Sequence, residues 1–145
     1  MPAELPFAPV DGIIRRNADG LRVSADAGEL LADYIEREGA RLATIAARRA
    51  DADGRKTLMA ADFEVSELPA KEDVGLPIAP VDRIARLEMD ERYRVSMEAR
   101  IALASILESF AEEVAVAAAT LARHADRRTI TASDIKTYFD LQQLE

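Results

Sequence analysis

The side chains able to do chemistry are few, and most recur in matched clusters. One histidine, His124, and no cysteine remove most nucleophile–base arrangements, disulfides and cysteine-bound zinc. No Gly-rich phosphate loop is present. Asp51-Ala52-Asp53-Gly54 resembles the start of a calcium loop, but its glycine comes too early and no glutamate closes it. Those four residues are expected to be a helix-capping turn. What remains is guanidinium and hydroxyl chemistry. Arg22-Val23-Ser24, Lys56-Thr57, Arg94-Val95-Ser96 and Arg128-Thr129 set cations beside hydroxyls, side-chain types that grip phosphates. No catalytic residue, cofactor, metal or small-molecule substrate is expected, and the chain is not predicted to be an enzyme.

These clusters occupy a repeated frame. Leu5-Pro6-Phe7-Ala8-Pro9-Val10-Asp11 reappears as Leu76-Pro77-Ile78-Ala79-Pro80-Val81-Asp82. Arg22-Val23-Ser24 reappears as Arg94-Val95-Ser96, and Arg55-Lys56-Thr57 with Ala61-Asp62 as Arg127-Arg128-Thr129 with Ser133-Asp134. The offset is 71 residues at the start and 72 from Arg22 onward, which places one extra residue near positions 91–93. Three blocks in one order with a single indel establish a tandem duplication.

Each copy predicts the same elements. A short helix follows the prolines, over residues 10–16 and 81–87, then a loop over 17–20 and 89–93. Val23 and Val95 lie in short extended straps, and Ser24 and Ser96 cap a long helix over 25–50 and 97–123. Leu103, Leu107, Phe110, Val114, Ala117 and Leu121 recur at helical spacing as one apolar stripe. Leu31, Ile35, Leu42 and Ile45 do the same in the first copy. Helices of that length span roughly 40 Å and have nothing within their own copy to cover the stripe. Gly54 ends the first long helix. Thr57-Leu58 and Thr129-Ile130 are short and extended, and a last helix begins near Ala60 and near Ala132, the second capped by Thr131 or Ser133. Pro69, Gly75 and mixed charges mark the linker between copies. The expected units are residues 1–68 and 76–145, joined by 69–75.

Nearly half of the 145 residues are apolar, with few aromatics and no Trp, so an all-α core of Ala, Leu, Ile and Val packed helix on helix is expected. No apolar run approaches the ~20 residues of a membrane span, and no signal peptide precedes the first motif. The expectation is a soluble protein of the cytoplasm. The net charge is −8, and lysine occurs only at Lys56, Lys71 and Lys136. Three readings stay open: an acidic partner-binding surface, adaptation to a cytoplasm of very high salt, and an ordinary acidic protein.

The order short helix, strap, long helix, strap, short helix resembles the histone fold, and the chain looks like two archaeal histones fused head to tail. Leu76-Pro77-Ile78-Ala79-Pro80-Val81-Asp82-Arg83, Arg94-Val95-Ser96 and Leu121-Ala122-Arg123-His124-Ala125-Asp126-Arg127-Arg128-Thr129-Ile130 carry the resemblance. It covers residues 4–68 and 75–141. It implies an intramolecular handshake, a pseudo-dimer in which crossed long helices hide each other's stripe. It further implies that Arg55 ties to Asp62 and Arg127 to Asp134.

For double-stranded DNA the resemblance implies contacts from Lys56, Thr57, Arg128 and Thr129 beside Arg22, Ser24, Arg94 and Ser96. The first helices would add Arg15 and Arg86, with Arg83 matching an arginine that enters the minor groove. Gly12 stands where the first copy would carry that arginine. Asp11, Asp19, Asp82, Glu88, Asp90 and Glu91 lie near the would-be DNA face. Leu121, His124 and Asp134 match a four-helix-bundle interface between histone pairs. Arg49 and Ala52 replace the first two in the other copy, so a dimer of chains joined through second copies is expected. Two functions follow from the resemblance. One is a chromosome-associated histone that binds, bends or wraps DNA with little sequence preference and organises the nucleoid. The alternative is a histone-fold transcription regulator or interaction module with weak or selective DNA binding.

Overall fold

The computed structural model describes residues 4–144. Residues 1–3 and 145, the outer ends of the two expected units, lie outside the described residues. Helix α1 (Phe7–Arg16), strap β1 (Arg22–Val23) and helix α2 (Ala25–Ala52) lead to strap β2 (Thr57–Leu58) and a 3-10 turn, Ala60–Phe63. The second copy repeats this with α3 (Ile78–Ala85), β3 (Arg94–Val95), α4 (Met97–His124), β4 (Thr129–Ile130) and α5 (Ala132–Gln142).

Both short helices begin three residues earlier than expected. Pro6 and Pro77 stand just before the first helical residue, so Pro9 and Pro80 fall inside the first turn. Backbone N–H groups there have no intrahelical acceptor, and proline's missing donor costs nothing. The long helices follow the expected bounds closely. Ser24 accepts the Ala27 N–H at 3.3 Å, and Ser96 accepts the Ala99 N–H at 3.1 Å. Beyond α2, Gly54 takes φ +74° and the Arg55 N–H closes onto the Ala50 carbonyl at 2.9 Å. Asp126 does the same work after α4 at φ +58° with no glycine.

The straps join the copies to each other. β1 runs parallel to β4, with Val23 opposite Ile130, and β2 runs parallel to β3, with Leu58 opposite Val95. α2 begins at one strap pair and ends at the other, while α4 runs the opposite way. One apolar core crosses both halves, including Ile13, Leu31, Ile84 and Leu107, all essentially sealed from solvent. The handshake is therefore contained within one chain.

The stripe is not quite the expected one. Leu31, Ile35, Leu103, Leu107 and Val114 are fully buried, but Leu42, Ile45, Phe110, Ala117 and Leu121 are only partly so. Alanines take over: Ala43, Ala46, Ala47 and Ala50 on α2, and Ala111, Ala115, Ala118 and Ala122 on α4. Small side chains let long helices approach closely, and a periodicity weighted to large residues passes over them. Gly39 extends the same logic, since a Cβ there would lie 2.5 Å from Ile84 Cγ2 and 3.0 Å from Leu107 Cδ1.

The last helix forms only in the second copy. After the turn Ala60–Phe63, Glu64 adopts a left-handed φ of +62°. β-branched Val65, Ser66 and then Pro69 oppose further helix, and the chain must turn there to reach the second copy. The linker holds a 3-10 turn, Lys71–Asp73, and its far end is latched. The Glu108 carboxylate on α4 accepts the Gly75 N–H and, at 3.2 Å, the Leu76 N–H. Glu36 on α2 likewise accepts the Glu4 N–H at 3.1 Å.

Arg55 and Asp62 meet bidentately, at 3.0 Å and 2.9 Å. Arg127 meets Asp134 the same way, one contact at 2.7 Å. Each carboxylate also accepts a backbone N–H, Met59 at 2.7 Å and Thr131 at 2.9 Å, so one buried carboxylate starts the last turn and receives the loop's arginine. The Arg55 guanidinium, aided by Met59, holds the Asp62 carboxyl below its ordinary pKa against the opposing effect of burial. Burial alone would raise Asp134, but Arg127 and Thr131 override it and the net direction is down.

Both the close crossing and the ties can be tested. Gly39→Val should lower Tm by several degrees, on the order of 1–3 kcal/mol from overpacking; an unchanged or raised Tm contradicts the close crossing. Arg127→Ala leaves the Asp134 carboxylate buried without its cation and should cost about 2–3 kcal/mol. Because the native pKa values of Asp62 and Asp134 are lowered, their stabilisation is whole above the unfolded-state value of about 3.9 and fades as pH drops through the native values. Wild-type Tm should therefore fall more steeply below pH ~4 than that of Arg127→Ala, and parallel curves would refute the tie.

Candidate nucleic-acid interface

Each strap pair collects groups from both copies. At β1–β4, Arg22 lies opposite Thr129, and the Arg22 N–H donates to the Arg128 carbonyl at 2.8 Å. At β2–β3, Thr57 lies opposite Arg94, and the Arg94 N–H donates to the Lys56 carbonyl at 2.8 Å. The backbone pairing thus sets Arg22, Arg128 and Thr129 together at one end of the long helices, and Arg94, Lys56 and Thr57 at the other.

The cations differ in how far they are already engaged. Arg22, Arg94 and Arg128 are exposed, and among the described residues no carboxylate pairs with them. Lys56 is held by Asp51 at 2.5 Å and sits 5.3 Å from the centre of the Tyr93 ring. Its ammonium keeps the exposed Asp51 carboxyl below the ordinary carboxylate value. Ser24 and Ser96 use their oxygens as helix caps, and the Ser24 hydroxyl also donates to Asp26. Thr57 and Thr129 lie partly buried, their carbonyls accepting from Arg55 at 2.8 Å and Arg127 at 3.1 Å.

On the first helices the arginines lie on carboxylates. Arg15 pairs with Asp11 at 2.6 Å and Arg86 with Asp82 at 3.2 Å. Arg83 reaches across to Glu4 of the other copy at 3.1 Å. All three remain exposed, so a phosphate would compete with these surface pairs, each worth little in water.

Sequence reasoning passes over two further arginines. Arg16 is exposed and folds back towards Gly12, its Nη1 3.4 Å from where a Cβ would stand. A guanidinium therefore occupies the neighbourhood in which the first copy lacks a counterpart to Arg83. Arg123 crosses to the first copy, donating to the Ala18 carbonyl at 3.0 Å and lying 3.5 Å from Asp19. The visible signal for Arg123 is its own repeat partner, Asp51 (offset 72), a reversal of charge at equivalent positions.

The expected self-association residues sit at the second copy's end. Leu121 is half-buried, His124 exposed, and Asp134 buried in its tie; Leu141 on α5 is 49% exposed nearby in sequence. At the matching place in the first copy, Arg49 donates to the Asp62 carbonyl at 2.7 Å and pairs with Glu64 at 2.8 Å. That arginine folds over the short turn that replaces a last helix. No group of metal-binding side chains occurs among the described residues, and no helix there is long and apolar enough to cross a membrane.

Known proteins match this architecture. The family model described as histone-like transcription factor (CBF/NF-Y) and archaeal histone matches twice, at residues 3–66 and 74–137. The chain is 49% identical over 61 residues to an archaeal histone of Thermococcus zilligii, a stretch covering 42% of this chain and 88% of that protein. It is similar to the crystal structure of the histone from Methanopyrus kandleri, with a TM-score of 0.67 and 26% identity over 90% of both chains. A crystal structure from Thermus thermophilus shares the fold at a TM-score of 0.71 and 16% identity, covering 97% of this chain and 98% of that one. With both halves matched, the chain belongs to the family of histone-like transcription factors (CBF/NF-Y) and archaeal histones, as two histone folds in tandem.

Proposed function

We propose that this chain is an archaeal-type histone that binds, bends or wraps double-stranded DNA with little sequence preference, as part of a nucleoid. The observation that carries this reading is the cross-copy pairing of straps, which sets Arg22 and Arg128 beside Thr129, and Arg94 beside Thr57, three arginines with no carboxylate partner among the described residues. Guanidinium and hydroxyl groups held together by the backbone pairing are the kinds that grip backbone phosphates, contacts that carry no base identity. Arg15, Arg83, Arg86 and the N-terminal ends of the long helices at Ser24 and Ser96 supply the remaining grip. A grip on the backbone responds to how readily the duplex deforms.

A second reading, a histone-fold transcription regulator or interaction module with weak or selective DNA binding, is favoured by Gly12 and by the carboxylates already paired with Arg15, Lys56, Arg83 and Arg86. Self-association is proposed through the second copy alone, with Leu121, His124 and Asp134 in a four-helix bundle and Arg49 closing the other end. The resulting particle is a dimer of chains.

A salt titration of binding to a random duplex tests the proposal. Affinity should fall along a straight log–log line whose slope, about −0.9 per phosphate, counts the contacts. No binding even at low salt would overturn it. Genome-wide occupancy then separates the readings: broad periodic coverage supports packaging, and sparse promoter peaks support the regulator. Light scattering should show two chains per particle; long polymers, or monomer at all concentrations, would refute the one-ended bundle.

A further inference from the structure

The two strap pairs occupy equivalent places in a duplicated frame but are chemically unequal. Residues 16–24 and 123–129, around β1–β4, carry five cations against two carboxylates, a net +3 with His124 neutral. The equivalent residues 88–96 and 51–57, around β2–β3, carry four cations against five carboxylates, a net −1. The difference is concentrated where it matters. Arg123 at the first strap pair is replaced by Asp51 at the second, and Asp51 holds Lys56 at 2.5 Å. The counterpart of Lys56, Arg128, has no carboxylate partner among the described residues.

Distance keeps these two charge sets apart. The long helices between the straps have 28 residues each, about 40 Å at 1.5 Å per residue. The Debye length at 0.1 M salt is only about 10 Å, so neither strap pair feels the other's charges. The local balance decides what each attracts, and the chain's overall negative charge does not.

We propose that the β1–β4 strap pair is the principal phosphate-binding site and that the β2–β3 pair, where Arg94 is free but carboxylates outnumber cations, is the weaker one, so the chain grips DNA mainly from one end. This rests on the reading that the chain binds DNA and specifies how. Arg22 and Arg128 make the strong contact, with Arg123 adding field from across the copy boundary. Asp51 acts as a built-in competitor for Lys56, occupying the ammonium that a phosphate would otherwise take. Leu121 and His124 lie just before the same strap in sequence, so a dimer formed through second copies would gather two strong sites at its middle and leave the weak ones at its ends. Contact with the duplex would then be centred on the junction between chains.

The test uses the full chain and a random duplex by fluorescence anisotropy between 50 and 200 mM salt. Arg22→Ala with Arg128→Ala should weaken binding at least tenfold and flatten the salt slope by about two, the loss of two phosphate contacts. Lys56→Ala with Arg94→Ala should weaken it by less than about threefold and change the slope by less than about one. Asp51→Asn, which frees Lys56, should tighten binding. Equal losses from the two pairs, or a larger loss from the second, would overturn the one-ended grip while leaving DNA binding itself in place. A wild-type chain that does not bind would overturn the underlying reading instead. Amide shifts of the unaltered protein give a check free of any folding defect. On addition of a short duplex, Arg22 and Thr129 should respond at lower DNA concentration than Thr57 and Arg94; the reverse order contradicts the proposal.

Discussion

The whole architecture depends on one mutual burial: α2 and α4 line a single apolar core with alanine, and elements of both copies together close it. The short helices lie across both long ones, and each strap pairs with a strap of the opposite copy. Ser24 N–H finds the Ile130 carbonyl at 3.0 Å, and Ser96 N–H finds Leu58 at 3.1 Å. Backbone groups at the start of each long helix are thus satisfied by the opposite copy. Covalent linkage keeps the partner at an effective concentration of roughly millimolar or above, so pairing does not depend on dilution. Everything proposed for the surface inherits its spacing from this clasp.

Duplication supplies a symmetric frame, and substitution has made its two ends different. Ile84 and Ile13, Glu108 and Glu36, Arg127 and Arg55 keep the same tasks in both copies. Arg49 against Leu121, Asp51 against Arg123 and Gly12 against Arg83 do not. Arg49, Asp51, Arg83 and Arg123 are exposed and Gly12 and Leu121 half-buried, so these changes lie outside the sealed core and alter what the molecule can touch. A frame held by a shared core can carry such differences without disturbing its straps, because the straps are fixed by backbone bonds and by Val23, Leu58, Val95 and Ile130 inside.

Much of this was legible in the residues. The repeat, the capping serines and the Arg–Asp spacing of seven each have a local signature, and together they specify six helices and four straps, of which one helix does not form. That departure, the missing last helix of the first copy, turns on Val65, Ser66 and Pro69 acting after a convincing helix start at Ala60. The alanine faces escaped a reading weighted to large apolar residues. The Glu36 and Glu108 latches were invisible because their partners lie more than thirty positions away. The pairing of Arg83 with Glu4 was hidden for the same reason, since nothing near Arg83 in the sequence announces a carboxylate from the other copy.

The central claim is that neither copy has a folded state of its own as a single unit. Residues 1–68 produced alone and followed by circular dichroism together with sedimentation put it to the test. The account predicts little helix at concentrations where the species is monomeric, with helix appearing only as copies associate. A helical monomer that melts cooperatively at high dilution would contradict it.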